Sequence, residues 1–391
     1  MLIPTIATTN VDNKMMDFPI EENFNLGPLV TFVPNKKYPI YSWFHFKEGF
    51  SRDFVFTMLD HFGIKNGKWV LDPFCGSGTT LLSCKERGVN SVGVDAMLLS
   101  VFLSQVKTMD YNIEIMKEIS RNIFANRFVR PDIRGFSPIV KRSFTRYVLE
   151  DIIFFRSIVK HIEDPIIRNF FTLALMNSLE KVSFGYKDGA VVKIRPLRHV
   201  PPFRPVFKRT VKKMFHDLKR FGSKKVAVKI FQGDARNLSF LDDSTFDAII
   251  TSPPYLNIID YMKVYTVENE LFFGETKSEA LRSYVGLDVS GNYSDLSSVD
   301  VPMVGKAYLH DMKKVLLEQY RVLKDDGKVA MVIGEGIFPD RIVAVHHLMS
   351  KMAEDIGFKV EKILYVNKRT VTDHERHKIG SALESVLFFR K

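Results

Sequence analysis

The sequence predicts an open α/β fold: a doubly wound, mostly parallel sheet with a reversed edge strand, interrupted by a largely helical, basic insertion. Three observations carry this. Short apolar runs at 68–74 and 91–95 each lead into helical apolar spacing, ending near Arg87 and at 97–109, the β-α-β-α rhythm of parallel strands joined by crossover helices. The rhythm stops at 110 and resumes at 226–230 and 246–251. Asp72, Asp95 and Asp234 stand at the carboxyl ends of these runs, where open parallel sheets bind their ligands.

In chain order, the first 40 residues are irregular, with prolines at 4, 19, 28, 34 and 39. An aromatic segment, Tyr41 to Phe50, precedes a helix over Arg52–Phe62. After the first two strands and helices, apolar spacing predicts helix over 145–183. A basic stretch punctuated by Pro196, Pro201, Pro202 and Pro205 follows. Beyond the strand at 246–251 come a helix over Tyr261–Phe273, a polar surface loop at 275–302 and an amphipathic helix over Ala307–Leu323. A strand at 327–334, a helix at 341–356 and a strand at 358–367 continue the alternation. The final strand, 384–390, pairs across a basic loop (368–378), which predicts that it runs reversed at the edge of the sheet. Residues 1–109 and 226–391 thus form one unit, and 110–225 the insertion.

The chain has 391 residues, and its hydrophobic fraction of 46% suffices for a sizeable core. Two cysteines, Cys75 and Cys84, rule out a disulfide framework and suit a reducing compartment. The start lacks a basic patch followed by an apolar run, and no apolar stretch reaches membrane-spanning length, so a cytoplasmic protein without membrane contact is expected. The net charge of +11 is concentrated: residues 193–225 carry twelve Lys and Arg against one acid, Asp217. A block of this kind is the electrostatic footprint of a nucleic-acid binder, or else a solvated helical face. His346-His347 and His374/His377 have no Cys or carboxylate partners in a ligand pattern, so no metal is expected.

The first run ends in Asp72-Pro73-Phe74-Cys75-Gly76-Ser77-Gly78-Thr79-Thr80. Glycines at a strand-to-helix turn let backbone N–H groups approach a ligand closely. A dinucleotide fingerprint needs a third glycine where Leu81 stands, and no Walker lysine follows, so a pyrophosphate loop is disfavoured. Asp95 sits where a carboxylate accepts from ribose hydroxyls, and Asp234 where one takes an adenine amino group. The string resembles the S-adenosylmethionine loop of DNA amino-methyltransferases. That resemblance implies a Rossmann-like class I methyltransferase fold, with Asp72, Pro73, Phe74, Gly76, Gly78 and Thr79 forming the cofactor loop. It implies Asp95 on the ribose, Gly233 and Asp234 by the adenine, and a cofactor-side role for 46–53. There Phe50 and Ser51 are candidates for the methionine end, with core packing the alternative for Phe50.

The second string, Thr251-Ser252-Pro253-Pro254-Tyr255, reads as a rigid elbow after a strand. Methyl transfer to an exocyclic amine needs acceptors aimed at its N–H bonds, because the lone pair is delocalised into the ring. Ser252 Oγ and the Pro253 carbonyl suit that task, and two prolines fix φ so that they stay in place. Tyr255 offers a flat face for a base taken out of its duplex. The string resembles the catalytic motif of amino-methyltransferases in its serine-first form, which implies cytosine N4 as the target. Adenine N6 and an RNA base are the alternatives. Carbon-5 cytosine methylation is rejected, since it needs a nucleophilic thiolate after a proline and neither cysteine follows one. The cofactor string precedes the catalytic string, the reverse of many serine-first enzymes. Asn257, Asp260, Tyr261, Tyr265 and Glu268 either frame the base or begin a helix.

The expected partner is double-stranded DNA, held by Lys193, Arg195, Arg198, Arg204, Lys208, Arg209, Lys212 and Lys213. Arg127, Arg130, Arg134, Lys141, Arg142 and Arg146 form a sparser second stretch. The interleaved Phe203, Phe207, Phe215 and Phe221 are read as core in preference to stacking wedges. The whole is expected to be a site-specific modification enzyme, nucleoid-associated, with a cognate restriction endonuclease as a candidate partner.

Overall fold

The structure is a computed structural model. It describes residues 18–391 except 189–190, 196–198, 257–263, 275–285, 287–289, 292, 294–295, 297–298, 340 and 373–377. Arg198, Asn257, Asp260, Tyr261, His374, His377 and most of the 275–302 loop lie outside the described residues.

Twelve strands are described: β1 Ile20–Glu22, β2 Trp69–Asp72, β3 Asn90–Asp95, β4 Gly185–Asp188, β5 Val191–Ile194, β6 Val228–Gln232, β7 Phe246–Thr251, β8 Leu323–Gly334, β9 Gly336–Ile337, β10 Ile342–Val343, β11 Lys359–Thr372 and β12 Lys378–Arg390. Eight of them make the central sheet, in the order β1-β11-β12-β8-β7-β2-β3-β6. Strands β6, β3, β2, β7 and β8 are mutually parallel. β12 is antiparallel to both β8 and β11. The reversed strand is therefore interior, a correction to its expected place at the edge. Its run Val386–Phe389 is buried throughout, and pairing with β8 on one side and β11 on the other satisfies the backbone groups that an edge strand would leave unpaired.

The helices are α1 Arg52–Phe62, α2 Thr79–Arg87, α3 Leu98–Thr108, α4 Ile113–Ala125, α5 Pro138–Ser143, α6 Arg146–Lys160, α7 Pro165–Val182, α8 Phe203–Arg220, α9 Thr266–Phe272, α10 Met303–Val322 and α11 Val345–Ile356. Strand residues sort by alternation onto two faces. Val70, Ala248, Ile250, Val386 and Phe388 pack with α1 on one side. Leu71, Ile249, Leu387 and Phe389 pack with α10 and α11 on the other. This is the doubly wound arrangement expected.

The insertion contributes α4–α8 and the hairpin β4–β5. Its core is continuous with the rest: one cluster runs from Phe44 and Phe46 through Leu103 of α3 to Phe155, Phe170 and Phe207. The basic stretch holds an 18-residue helix, α8, despite its prolines. Pro202 precedes the helix and Pro205 lies in its first turn, where no backbone N–H has an intrahelical partner to lose. Phe203, Phe207 and Phe215 are buried on one face of α8, as read from the sequence. Trp43 Nε1 donates to Asp217 Oδ2 (3.0 Å), so the lone acid of the block ties α8 to the segment leading into the site. Among the described residues no helix is long and apolar enough to cross a membrane.

Candidate active site

Both motifs lie at the carboxyl ends of adjacent parallel strands. β2 and β7 pair Leu71 with Ile249, which brings Asp72 beside Thr251. Of the helices that follow them, α2 packs on the α1 face and α10 on the opposite one, so the crevice between the two strands is a topological switch point. Asp72 joins the motifs. Its Oδ1 accepts from Thr251 Oγ1 (2.7 Å) and its Oδ2 from Thr80 Oγ1 (2.7 Å), while the Phe74 N–H also donates to it. Burial pushes the Asp72 carboxyl up to about 6 against the pull of these donors. Asp72 therefore acts as a brace between the loops, with its acceptors turned inward.

The glycine loop lines a cleft with Phe74, Gly76, Asp95, Gly233 and Phe50. Gly76 takes a positive φ of 50°, and its N–H donates to Asp95 Oδ2 (2.9 Å). Met97 N–H donates to Asp95 Oδ1 (2.9 Å), fixing the carboxylate at the cleft wall. Burial raises the Asp95 carboxyl to about 6. Gly78, by contrast, has a packing role. Its φ is +79°, and a Cβ there would stand 2.9 Å from the Ser104 backbone. Ser51 is corrected too: it is fully buried, and its hydroxyl caps α1 by accepting from Phe54 N–H (3.2 Å). Asp234 lines the cleft, but its carboxylate is gripped by Arg236, through Nε (3.0 Å) and Nη2 (2.6 Å). The expected adenine acceptor is thus engaged within the protein.

The elbow leaves β7 directly. Pro254 carbonyl accepts from the buried Tyr308 hydroxyl (2.9 Å), which holds the turn. No hydrogen bond among the described residues occupies Ser252 Oγ or the Pro253 carbonyl. Tyr255 lies against Gly334 of β8, where an added Cβ would come within 2.5 Å of the ring. Its hydroxyl donates to Glu384 Oε1 of β12 (2.7 Å). Pro253, Tyr255, Asn367, Arg369 and Glu384 line a second cleft, which meets the cofactor cleft at Glu48, Gly49 and Ser252. Tyr265 is a support: its buried hydroxyl donates to Glu48 Oε2 (2.7 Å). Glu268 pairs with Lys187 of the hairpin (2.8 Å).

Residues 44–99 and 246–391, just over half the chain, match the family model for N6/N4-type DNA methylases. The chain belongs to this DNA methylase family. At 26% identity this methylase is similar to Type II methyltransferase M.BsoBI of Geobacillus stearothermophilus, over 94% of this chain and 88% of that protein. It is also 26% identical to Type II methyltransferase M.AvaI of Nostoc sp., over 86% and 82% respectively. A solved SAM-dependent methyltransferase from Methanosarcina mazei superposes with a TM-score of 0.31, at 11% identity over 85% of this chain and 96% of that one. That likeness is too slight to add to the fold described above.

The cofactor of the methylase is S-adenosylmethionine. The cleft fits it. Glu48, Asp72, Asp95 and Asp234 line it, and no Lys, Arg or His does so among the described residues. Such a wall suits a sulfonium and an ammonium and repels a pyrophosphate. Phe46, Phe50, Phe74 and Met97 supply apolar surface for the rest of the molecule. Among the described residues no cluster of His, Cys, Asp or Glu is arranged to hold a metal. Cys75 and Cys84 are buried free thiols, and burial raises both well above the usual thiol range.

The basic residues divide. Lys208 and Lys212 line a groove between α8 and α4 with Lys117 and Arg121, and Arg209 is exposed on the same helix. Lys213 is tied to Asp217 (2.9 Å) and Ser42 (3.0 Å), and Arg204 to the carbonyls of Phe124 and Asn126 (3.2 and 2.9 Å). These two are structural bonds that a charge count does not reveal. Lys193 and Arg195 lie on or beside the hairpin, where Arg195 covers the Tyr186 ring at 3.8 Å. Of the sparser stretch, Arg134 pairs with Asp132 and Arg146 with Glu150. Sequence reasoning missed Gly334 and Glu384, and reached Glu48 only as part of the 46–53 segment. No local motif singles out any of the three, since each matters through a partner far along the chain.

Proposed function

We propose that this methylase transfers a methyl group from S-adenosylmethionine to the exocyclic N4 of cytosine in duplex DNA. It would do so at a specific short sequence, as the modification enzyme of a Type II restriction–modification system. The observation that carries this is the serine-first elbow with two neutral acceptors, Ser252 Oγ and the Pro253 carbonyl, that no hydrogen bond occupies among the described residues, beside the junction of two clefts. The names of the Type II methyltransferases to which the chain is similar support the biological setting.

The bound cofactor supplies an electrophilic methyl group. The protein's part is positioning and electrostatics. Asp95 accepts from the ribose hydroxyls, and the cleft's acids favour the cationic ligand. The flipped base stacks on Tyr255, whose ring is fixed by Gly334 behind it and Glu384 at its hydroxyl. Ser252 Oγ and the Pro253 carbonyl accept the two amino N–H bonds, which pins the nitrogen and turns its lone pair out of the ring plane. The insertion, 110–225, grips the duplex, with the exposed cations of α8 on phosphates.

The test is to incubate the protein with radiolabelled cofactor and mixed-sequence duplex DNA, digest, and identify the labelled nucleoside. Label in N4-methylcytosine is expected. Label in N6-methyladenine refutes the base assignment and keeps the chemistry. No label in DNA refutes the DNA reading. Ser252→Ala and Tyr255→Ala should abolish turnover while cofactor affinity stays within a few fold.

A further inference from the structure

The two clefts share three lining residues, Glu48, Gly49 and Ser252. Asp72, Asp95 and Asp234 line the cofactor side alone. Glu48 is therefore the one carboxylate, among the described residues, that stands where the methyl donor and the target amine meet. Its two oxygens differ. Oε2 accepts from the Tyr265 hydroxyl at 2.7 Å. Oε1 is buried and has no hydrogen-bond partner among the described residues. The support is stiff: the Tyr265 ring stacks on Phe46 at 5.4 Å with 8° between planes, and Lys187 Nζ stands 3.9 Å from its centroid. A buried carboxylate oxygen without a donor is an open position for a proton or a cationic N–H.

The elbow leaves a need of that kind. Ser252 Oγ and the Pro253 carbonyl are neutral acceptors, and neither retains a proton at neutral pH. A neutral amino group that gains a methyl cation carries one positive charge and one surplus proton. We propose that Glu48 takes that proton. The N–H bond breaks with its electron pair remaining on nitrogen, an O–H bond forms at Glu48 Oε1, and the proton passes to water once the product base leaves. Charge balances: the anionic carboxylate becomes neutral as the cationic amine does. Oε1 also favours the developing positive charge on nitrogen before the proton moves.

The inference rests on reading the cleft junction as the methyl-transfer site, and it does not depend on which base is modified. Label in adenine in the nucleoside experiment would overturn the cytosine assignment and leave Glu48 untouched.

The test is Glu48→Gln, measured three ways: single-turnover transfer across pH, cofactor affinity by calorimetry, and base flipping by 2-aminopurine fluorescence at the target position. Expected are a transfer rate at saturating cofactor about 100-fold lower, in the range for loss of a general base, cofactor affinity lowered by less than tenfold as one acid of the cleft wall loses its charge, and unchanged fluorescence. The variant's rate should rise with pH as hydroxide replaces the missing carboxylate. Affinity reduced tenfold or more, with the rate at saturating cofactor unchanged, would overturn the proposal and assign Oε1 to the cofactor's ammonium. Wild-type behaviour in all three would overturn it too. Should Glu48→Gln fail to fold, Glu48→Asp carries the same test. Slowed transfer at retained affinity supports the proposal, and retained rate at reduced affinity refutes it.

Discussion

Gly334 lies on β8, two strands from the glycine loop, and touches neither the cofactor cleft nor the acceptors of the elbow, yet Gly334→Ala should impair methyl transfer. A Cβ at this position would stand 2.5 Å from Tyr255 Cδ2 and 2.7 Å from Cε2, where ordinary contact begins near 3.4 Å. The ring must retreat by about 1 Å, or the strand must. Retreat of the ring strains the 2.7 Å bond from its hydroxyl to Glu384. Overpacking of this kind costs about 1–3 kcal/mol. Misplacing a positioning group by about 1 Å costs on the order of 100-fold in rate. The assay is single-turnover transfer with enzyme in excess, alongside calorimetry of cofactor binding. The rate should fall about 100-fold and cofactor affinity should stay within threefold. Tyr255→Phe separates the two contributions, because it keeps the ring against Gly334 and removes the hydroxyl that bonds Glu384; a loss of about tenfold is expected, one net hydrogen bond's worth. Wild-type transfer by Gly334→Ala would refute the claim that this ring's position controls the reaction.

Three further outcomes follow from the geometry. Thr251→Val removes a 2.7 Å donor to a buried carboxylate, and a urea melt should register a loss of about 2 kcal/mol, with Asp72 raised further above its present value of about 6. Cofactor affinity should fall as pH drops from 7 to 5, because Asp95 becomes protonated below about 6 and a neutral acid binds a cationic ligand and ribose donors less well; calorimetry across that range with no change would refute its placement at the ribose. Lys208→Ala with Lys212→Ala should weaken DNA binding and flatten its salt slope by about 2, one unit per lost phosphate contact, whereas an unchanged slope assigns the α4–α8 groove to another task.

What could be read from the sequence was local. The glycine loop is contiguous, its strand and helix flank it directly, and each residue type has a backbone reason to be there. The elbow is likewise five consecutive residues after an apolar strand. Their adjacency followed from the parallel rhythm, which places both at carboxyl ends. What the sequence does not display is each side chain's partner. Serine before an acid-bearing first turn is an ordinary helix cap, and that is what Ser51 does. Arg236, two residues on, holds the Asp234 carboxylate. Charge is visible in sequence, whereas the Asp217 and Ser42 partners of Lys213 and the Phe124 carbonyl that Arg204 meets are not.

The residues that no motif singles out follow the same logic in reverse. Tyr255 depends on β8 for the space behind its ring and on β12 for the partner of its hydroxyl, 129 positions away. Glu48 depends on Tyr265, 217 positions away. Both partners come from parts of the chain whose periodicity reads as plain strand or helix. A sheet switch point collects such contributions because its strands come from distant parts of the chain, and the crevice receives whatever side chain stands last on each. The catalytic strings therefore identify the chemistry, and the strands around them decide where its atoms sit. Gly334→Ala and Glu48→Gln test the second half of that division directly, since each alters a residue outside both strings and should slow transfer far more than it loosens the cofactor.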